Sequence, residues 1–343
     1  MSTRKPTMRD IGRAVGTSAV TVSKALAGKA GMSDRLRDRI LKKAEEMGYA
    51  YPGGDKGIRR GQLDIGILIP DHFFEADSFY YVLYKKLVRK LAEEGHFGLL
   101  EILSHQAETE LLLPNLIRSR HVDGLILLGQ PGKAYYRMIA QCGTPVVFLD
   151  FYDEHGNADA VVGDNTYGAY RLTSHLIRQG HTRIGFVGNQ RATSSIMDRY
   201  LGYYRAMLVN NLPVRDDWIL MDRTDDGELT PILLPEELPT AFVCNCDVIA
   251  RKLIQTLQEA GKRVPEDVSV TGFDDFEIGP EQKPAMSTFR VNTDGMINLA
   301  VNAICDRCSG AEKTFGRLVV SGQPVYRDSE RPLADDIPDD RRN

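Results

Sequence analysis

The chain reads as an α/β protein in which an N-terminal three-helix, helix-turn-helix domain precedes two doubly wound parallel-sheet subdomains. Three observations carry that reading. Charge is divided: residues 1 to 60 hold 14 Lys and Arg against 6 Asp and Glu, a net +8, which leaves −12 for the remainder of a chain whose total is −4. Inside the basic segment, short amphipathic helical patterns meet at a glycine. Beyond it, apolar runs alternate with helical patterns, as expected of a sheet covered on both faces. At 343 residues and 42% hydrophobic, the chain has room for two or three globular domains.

"PTMRDIGRAVG" predicts a short helix with Ile11, Ala14 and Val15 on one face, broken by Gly16. Ser18 then caps a second helix over "AVTVSKAL", whose buried stripe is Val22, Ala25 and Leu26. Its opposite face carries Ala19, Val20, Ser23 and Lys24, which is small, partly apolar and nearly uncharged. A third helix follows Ser33, with Leu36, Ile40, Ala44 and Met47 in register. In a helix-turn-helix the second helix enters the major groove, which needs short side chains for close approach and a few that reach base edges. Ala19 and Val20 suit base edges or thymine methyls, Ser23 a phosphate or base, and Lys24 guanine O6 and N7. A basic domain on an acidic body implies a polyanion partner for that domain alone; the bland alternative is a solvated basic tail.

The stretch "YPGGDKGIRRG" at 51–61 is glycine-rich and reads as a flexible linker. From residue 62, "LDIGILIP", "FGLLEIL", "VDGLILLG", "TPVVFLD" and "ADAVVGD" read as buried strands, with helices over "YYVLYKKLVRKLAEEG" and "ETELLLPNLIRS". A second series of strands, "RIGFVG", "WILMD", "TAFVCN" and "VSVTGFD", alternates with "YGAYRLTSHLIRQG", "SIMDRYLGYYRAMLVN" and "DVIARKLIQTLQEAG" as helices. The crevice between two such subdomains, at the carboxyl ends of the strands, is the expected ligand site. Phe73, Phe74, Phe79 and Tyr80 follow the first strand and are equally compatible with stacking on a sugar ring and with core or dimer packing. The tail "ERPLADDIPDDRRN" at 330–343 is charged, contains proline and is expected to be disordered, with no heptads for a tetramerising coiled coil.

The order "TMRDIGRAVGTSAVTVSKALAGKAGMSDRLRDRILKKAEEMGY" resembles the DNA-binding headpiece of the lactose and galactose repressor family almost position for position. That family's pattern is roughly T-x-x-D-I-A, then A-G-V-S-x-x-T-V-S-R-V-L-N-G, then V-S-x-x-T-R-x-R-V and a closing L-G-Y. The chain departs at Gly12, Thr17, Lys24 and Ala27. Lys24 replaces an arginine, and a flexible point donor reads guanine less strictly than a bidentate fork. The resemblance places Thr7, Ser18 and Thr21 beside the other DNA-facing residues and puts Ile58 where the family's wedging leucine enters the minor groove. Asp55 stands at an alanine position of that hinge, an acid facing phosphates.

Over residues 1 to about 328 the resemblance implies a core similar to periplasmic sugar-binding proteins. Its divisions would be 1–50 for DNA binding, 51–61 for the hinge, 62–163 with about 292–320 for the first subdomain, and 164–291 with about 321–329 for the second. It implies an effector grip by Arg199 from "DRYLGYYRAM", Asp274 from "SVTGFDDFE" and Asn245 from "FVCNCD", with Asp164 or Asn165 at a crossover. The bland roles are an ion pair of Arg199 with Asp198 or Asp275, and a helix cap for Asp274.

No G-x-G-x-x-G after a strand, G-x-x-x-x-G-K-[ST], G-x-S-x-G or H-E-x-x-H is present, so the familiar catalytic signatures are missing and no cofactor is implied. The seven histidines show no metal-ligand spacing, and His181 suits a turn-ordering role. Five cysteines in a reducing compartment imply no disulfide framework; Cys244, Cys246, Cys305 and Cys308 are read as small buried hydrophobes rather than zinc or redox groups. No apolar run approaches the roughly 20 residues of a membrane span, and "MSTRKPTMRD" lacks the core of a secretory signal. The reading is a cytoplasmic transcription regulator, a repressor that binds a pseudo-palindromic operator as a homodimer and answers to a carbohydrate or sugar phosphate. A purine or nucleoside effector is the alternative; a solute-binding protein and a sugar-modifying enzyme are the alternatives of other classes.

Overall fold

The protein is described by a computed structural model covering residues 6–26, 32–47, 49, 61–75, 78–156, 158–276, 283–310 and 314–333. It forms two compact units, residues 1–62 and 63–343. Among the described residues, no helix is long and apolar enough to cross a membrane.

In the first unit, Thr7 and Asp10 form a reciprocal capping box that starts α1 (Met8–Val15). Gly16 ends it at φ 77°, a left-handed conformation that glycine adopts without strain. The Ser18 hydroxyl accepts from Thr21 N at 3.1 Å and opens α2 (Ala19–Leu26). After it comes α3 (Asp34–Glu46). Ile11, Val15, Val22, Ala25, Ile40 and Ala44 form the core, with Leu26, Leu36 and Met47 against it. Ala14 is exposed rather than buried with Ile11 and Val15. The buried stripe follows the 11/15 line toward Gly12 instead, because the turn into α2 presses there. A Cβ on Gly12 would lie 2.7 Å from Thr17 O.

The second unit is built on two parallel sheets. The first has the order β11-β5-β4-β3-β1-β2, from β1 (Asp64–Pro70), β2 (Phe97–Leu103), β3 (Gly124–Leu128), β4 (Val146–Leu149), β5 (Asp159–Gly163) and β11 (Arg317–Val320). The second has the order β7-β6-β8-β9, from β6 (Ile184–Val187), β7 (Ile219–Leu220), β8 (Ala241–Cys244) and β9 (Ser269–Thr271). Strands β1, β3, β4 and β5 are fully buried apart from an end residue, as apolar runs sandwiched by helices should be. β2 is not: it is the sheet's edge, with Phe97 and Ile102 exposed, the four residues between 97 and 102 half-buried and only Leu103 buried, so its apolar sequence overstated its burial.

Helices α4 (Phe79–Glu93), α7 (Lys133–Ala140) and α11 (Thr293–Cys308) belong to the first sheet; α8 (Asn165–Arg178), α9 (Ser194–Val209) and α10 (Asp247–Glu259) to the second. Instead of one helix over 108–119 there are two short ones, α5 (His105–Thr109) and α6 (Asn115–Arg118). Pro114 disfavours helical backbone at Leu113, and Leu111 turns left-handed at φ 55°. The Glu101 carboxylate accepts from Asn115 N and Leu116 N, which fixes the new helix start.

Residues after 291 rejoin the first sheet: α11 buries Met296, Ile297, Ala300, Val301 and Ile304 against it, and β11 pairs with β5. The connecting strands β10 (Thr288–Arg290) and β12 (Gln323–Val325) form an antiparallel pair. Residues 330–333, expected to open a disordered tail, are instead packed: Glu330 is buried against His175 and Leu333 N donates to Gln179 O. Residues 334–343 and the linker at 51–60, with Asp55 and Ile58, lie outside the described residues.

Candidate functional site

On α2 the predicted reading face is open. Val20 is 66% exposed, Lys24 is exposed, and Ala19, Thr21 and Ser23 are half-buried. Val22 and Ala25 hold the helix from behind. The polar groups at the two helix starts are already ordered: Thr7 Oγ1 donates to Asp10 Oδ2 at 2.6 Å, and Ser18 Oγ lies 2.9 Å from Thr21 Oγ1. Both hydroxyls serve as caps: Thr7 Oγ1 has given its proton to Asp10 and keeps only a lone pair, for a water, whereas the Ser18–Thr21 hydroxyl pair keeps one proton to donate to a phosphate or water.

In the second unit the strand-end residues converge where the two sheets face each other. Arg199, 5% exposed on α9, is the centre. Its Nε donates to Asn165 Oδ1 at 2.8 Å, Nη1 to Asn245 O at 2.5 Å and Nη2 to Asp274 Oδ1 at 3.0 Å. The guanidinium lies 4.0 Å from the centroid of the Phe273 ring. Neither bland partner is used: Asp198 accepts from Tyr152, and Asp275 pairs with Arg290 and Arg327. Of the crossover alternatives, Asn165 reaches Arg199, whereas Asp164 caps α8 by accepting from Tyr167 N.

From the first subdomain, Tyr80 Oη donates to Asp150 Oδ2 at 2.9 Å. Phe73 packs on Tyr80 with centroids 4.5 Å apart, and Phe79 meets Phe276 edge-on at 6.4 Å. Phe74 turns instead to Tyr81 and Tyr84. On the other side Asn245 Nδ2 donates to Asp222 Oδ2 at 2.9 Å, and Arg223 Nε donates to the same oxygen at 2.8 Å. Asp150, Asp222 and Arg223 were missed from the sequence. The first two end the strand patterns "TPVVFLD" and "WILMD", so the strand-end rule that found Asp274 also covers them.

Burial dominates the electrostatics. It pushes the Asp274 carboxyl up to about 7, with nearby Asp150 raising it further and Arg199 opposing. Asp247 is pushed to about 8 by burial and by Asp274, while hydrogen bonds from Thr288 and Phe276 N restrain it. Burial raises Asp150 and carries Tyr80 well above the usual phenol range. The Cys246 thiol rises to about 11 through burial and Asp274, the opposite of an activated thiolate. Two cavities adjoin these groups: one of about 690 Å³ lined by Phe73, Gln130, Ser194 and Arg223 among others, and one of about 560 Å³ beside β10 and β12 lined by Phe79, Lys86, Asp274 and Arg290 among others.

Elsewhere, His181 is buried between Thr240 Oγ1 and Arg331 O, a structural role. All five cysteines are unbridged. Glu94, His96 and Cys305 bring ligand atoms within 4.8 Å of one another, a grouping that spacing does not reveal. Lys90 holds Glu94, and Leu63 N donates to His96 Nδ1, so these groups already have protein partners.

Residues 7–51 match the family of bacterial regulatory proteins named for lacI, and residues 173–330 match the periplasmic binding protein-like domain. The chain therefore carries a lacI-family DNA-binding domain ahead of a periplasmic binding protein-like domain. Among this regulator's relatives are the ribose operon repressor of Haemophilus influenzae, 26% identical across 94% of this chain and 98% of that one, and the transcriptional repressor CytR of Escherichia coli, 26% identical across 95% and 97%. PurR of Aliivibrio salmonicida is 24% identical across 88% and 92%. The fold is that of a CelR–cellobiose complex (TM-score 0.65, 22% identity, covering 94% and 99%) and of the lac repressor dimer bound to operator and the anti-inducer ONPF (TM-score 0.65, 18% identity, 95% and 99%). These relatives are transcriptional repressors, and this chain, which matches them over nearly its whole length, is a transcriptional regulator rather than an enzyme.

Proposed function

We propose that the protein is a cytoplasmic repressor that binds a pseudo-palindromic operator as a homodimer and is controlled by a carbohydrate-class effector taken into the crevice. The observation that carries this reading is the buried Arg199, whose guanidinium ties Asn165, Asn245 and Asp274 together where the two subdomains face each other. A ligand that enters there replaces or reinforces those bonds and so shifts the balance between two domain arrangements. On the DNA side, Ala19, Val20, Ser23 and Lys24 would read base edges, with Ser18 and Thr21 at the phosphates and Thr7 reaching one through a water. Ile58 would wedge into the minor groove from the hinge.

Operator selection from random duplexes, repeated with a panel of sugars, sugar phosphates and nucleosides, tests the whole reading. The expected result is a two-fold symmetric site whose occupancy one member of the panel changes. Selection that enriches no sequence, or a chain that stays monomeric with and without operator, overturns it.

A further inference from the structure

The outer face of α9 carries a feature that the Arg199 network does not use. Ile196, Arg199, Tyr203, Ala206 and Met207 turn inward and are buried, as a helix packed on a sheet requires. The opposite stripe meets water and is expected to be polar. Instead Met197, Leu201, Tyr204 and Leu208 occupy it, between 37% and 61% exposed, with Val209 open beside them. Among the described residues, no other helix of the second unit has more than one exposed large apolar side chain. Lone exposed apolar residues need no explanation. Four on consecutive turns, leaving on the order of 400 Å² of surface in one patch, mark a contact face.

Spacing and charge name the occupant. The steps from 197 to 208 are 4, 3 and 4 residues, the apolar seam of a heptad, and the series reads the same in both directions. Two copies of α9 laid antiparallel across a two-fold axis bring Met197 of each onto Leu208 of the other, and Leu201 onto Tyr204. The contact is isologous: one stripe fits itself. Along the same line the stripe ends in Ser194 and Asn211, so no charge on it meets its own kind. The flanking charges are engaged within the chain, Asp198 by Tyr152 and Arg205 over the Tyr170 ring at 5.0 Å. A strongly acidic or basic protein would find nothing complementary here. The chain's own last ten residues, "ADDIPDDRRN", are too rich in charge to cover four apolar side chains. We propose that α9 is a self-association surface on which two copies of the chain meet through antiparallel helices. This rests on the homodimer reading above in requiring that copies associate, and adds the face on which they do so. With its rim the patch reaches the lower end of specific interfaces, so the contact should form at concentrations on the order of micromolar.

The test is sedimentation velocity of the full chain across a concentration series from about 0.1 to 100 μM, with and without operator. Met197→Glu or Leu208→Lys alone sets a charge against an apolar side chain of the second copy at both ends of the pair. Each is expected to lose one step of association, needing at least about tenfold more protein to assemble. The chain carrying both substitutions sets glutamate opposite lysine at each end, and should assemble within about threefold of the parent. Within one chain the two positions lie about 16 Å apart along the helix, out of reach of each other, so rescue reports contact between copies. Glutamate near the start of α9 and lysine near its end suit the helix dipole, and equal melting temperatures in dilute solution will verify the fold. If both single variants assemble as the parent does, the α9 face is not a contact and the homodimer stands on another surface. Weakened single variants without rescue in the double variant also overturn the antiparallel pairing. A parent that stays monomeric throughout overturns both this inference and the homodimer reading.

Discussion

The side chain with the most depending on it is Arg199. Replacing it by alanine leaves Asn165, Asn245 O and Asp274 without their shared donor, and breaking a buried pair on one side typically costs about 3–5 kcal/mol. The expected loss is nearer the lower end, because Asp274, already pushed up to about 7, can take a proton when its cation leaves. Calorimetric titration of the Arg199→Ala chain is expected to show no response to the best effector, with effector-free operator affinity within about tenfold, roughly 1.4 kcal/mol. Undiminished effector affinity would remove Arg199 from the site. At the other unit, Lys24 stands exposed on α2 with no carboxylate partner among the described contacts. Lys24→Ala should cost on the order of 1–3 kcal/mol per half-site and relax one symmetric base pair. Equal weakening on every duplex would mean that Lys24 contacts phosphate.

Between elements, the tightest constraint is the approach of α8 and α9. A Cβ on Gly202 would overlap Thr166 O and come within 2.9 Å of Tyr170 N, so the two helix backbones meet directly. Gly202→Ala must push α9 outward, three residues after Arg199 and opposite the turn that carries Asn165. A destabilisation of about 2 kcal/mol or more is expected from overpacking, together with weakened effector binding; a melting temperature and a titration within error of the parent would show that the helices can part freely. Elements of this kind were legible where one period ran unbroken, as in α8, α9 and the strands "GILIP" and "VVFL". They were misread where local backbone overruled apolarity: Leu111 and Pro114 split a helix, and the edge position of β2 left an apolar strand half open. Of the site residues from the family pattern, Arg199, Asn165, Asn245 and Asp274 met at one centre and Asp164 did not. Their bonds were not legible, because Arg199 lies 34, 46 and 75 residues from its partners.

For the chain as a whole, buried acids set the dependence on pH. Asp274 and Asp247 sit at about 7 and about 8 against an ordinary 3.8, so between those limits the folded chain holds more protons than the unfolded one. Their contribution to stability is complete below about pH 4 and is lost as pH rises through 7 to 8. Asp275 and Glu330 are held below their usual values by Arg290, Arg327 and His175, so their contribution is lost in the opposite direction, on acidification. The melting temperature should therefore fall from about pH 5.5 to pH 8.5, and Asp274→Asn should flatten that slope. A slope identical in the variant would show that Asp274 ionises as freely folded as unfolded.

The rejoining of the first sheet by α11 and β11 bears on how the protein is made. Synthesis delivers the basic headpiece first, and its own small core lets it fold as soon as it clears the ribosome. The sheet begun at residue 64 cannot close until residue 320 has been translated, since its edge strand β11 and the core helix α11 arrive only then. The subdomain begun first is closed only after most of the second has been made, and residues 329–333, packed on β9 and α8, are added to the second after that. A message broken before that point would yield chains that keep a DNA-reading helix and have lost the crevice that governs it, so quality control of truncated products matters more here than in a protein whose domains close in sequence order.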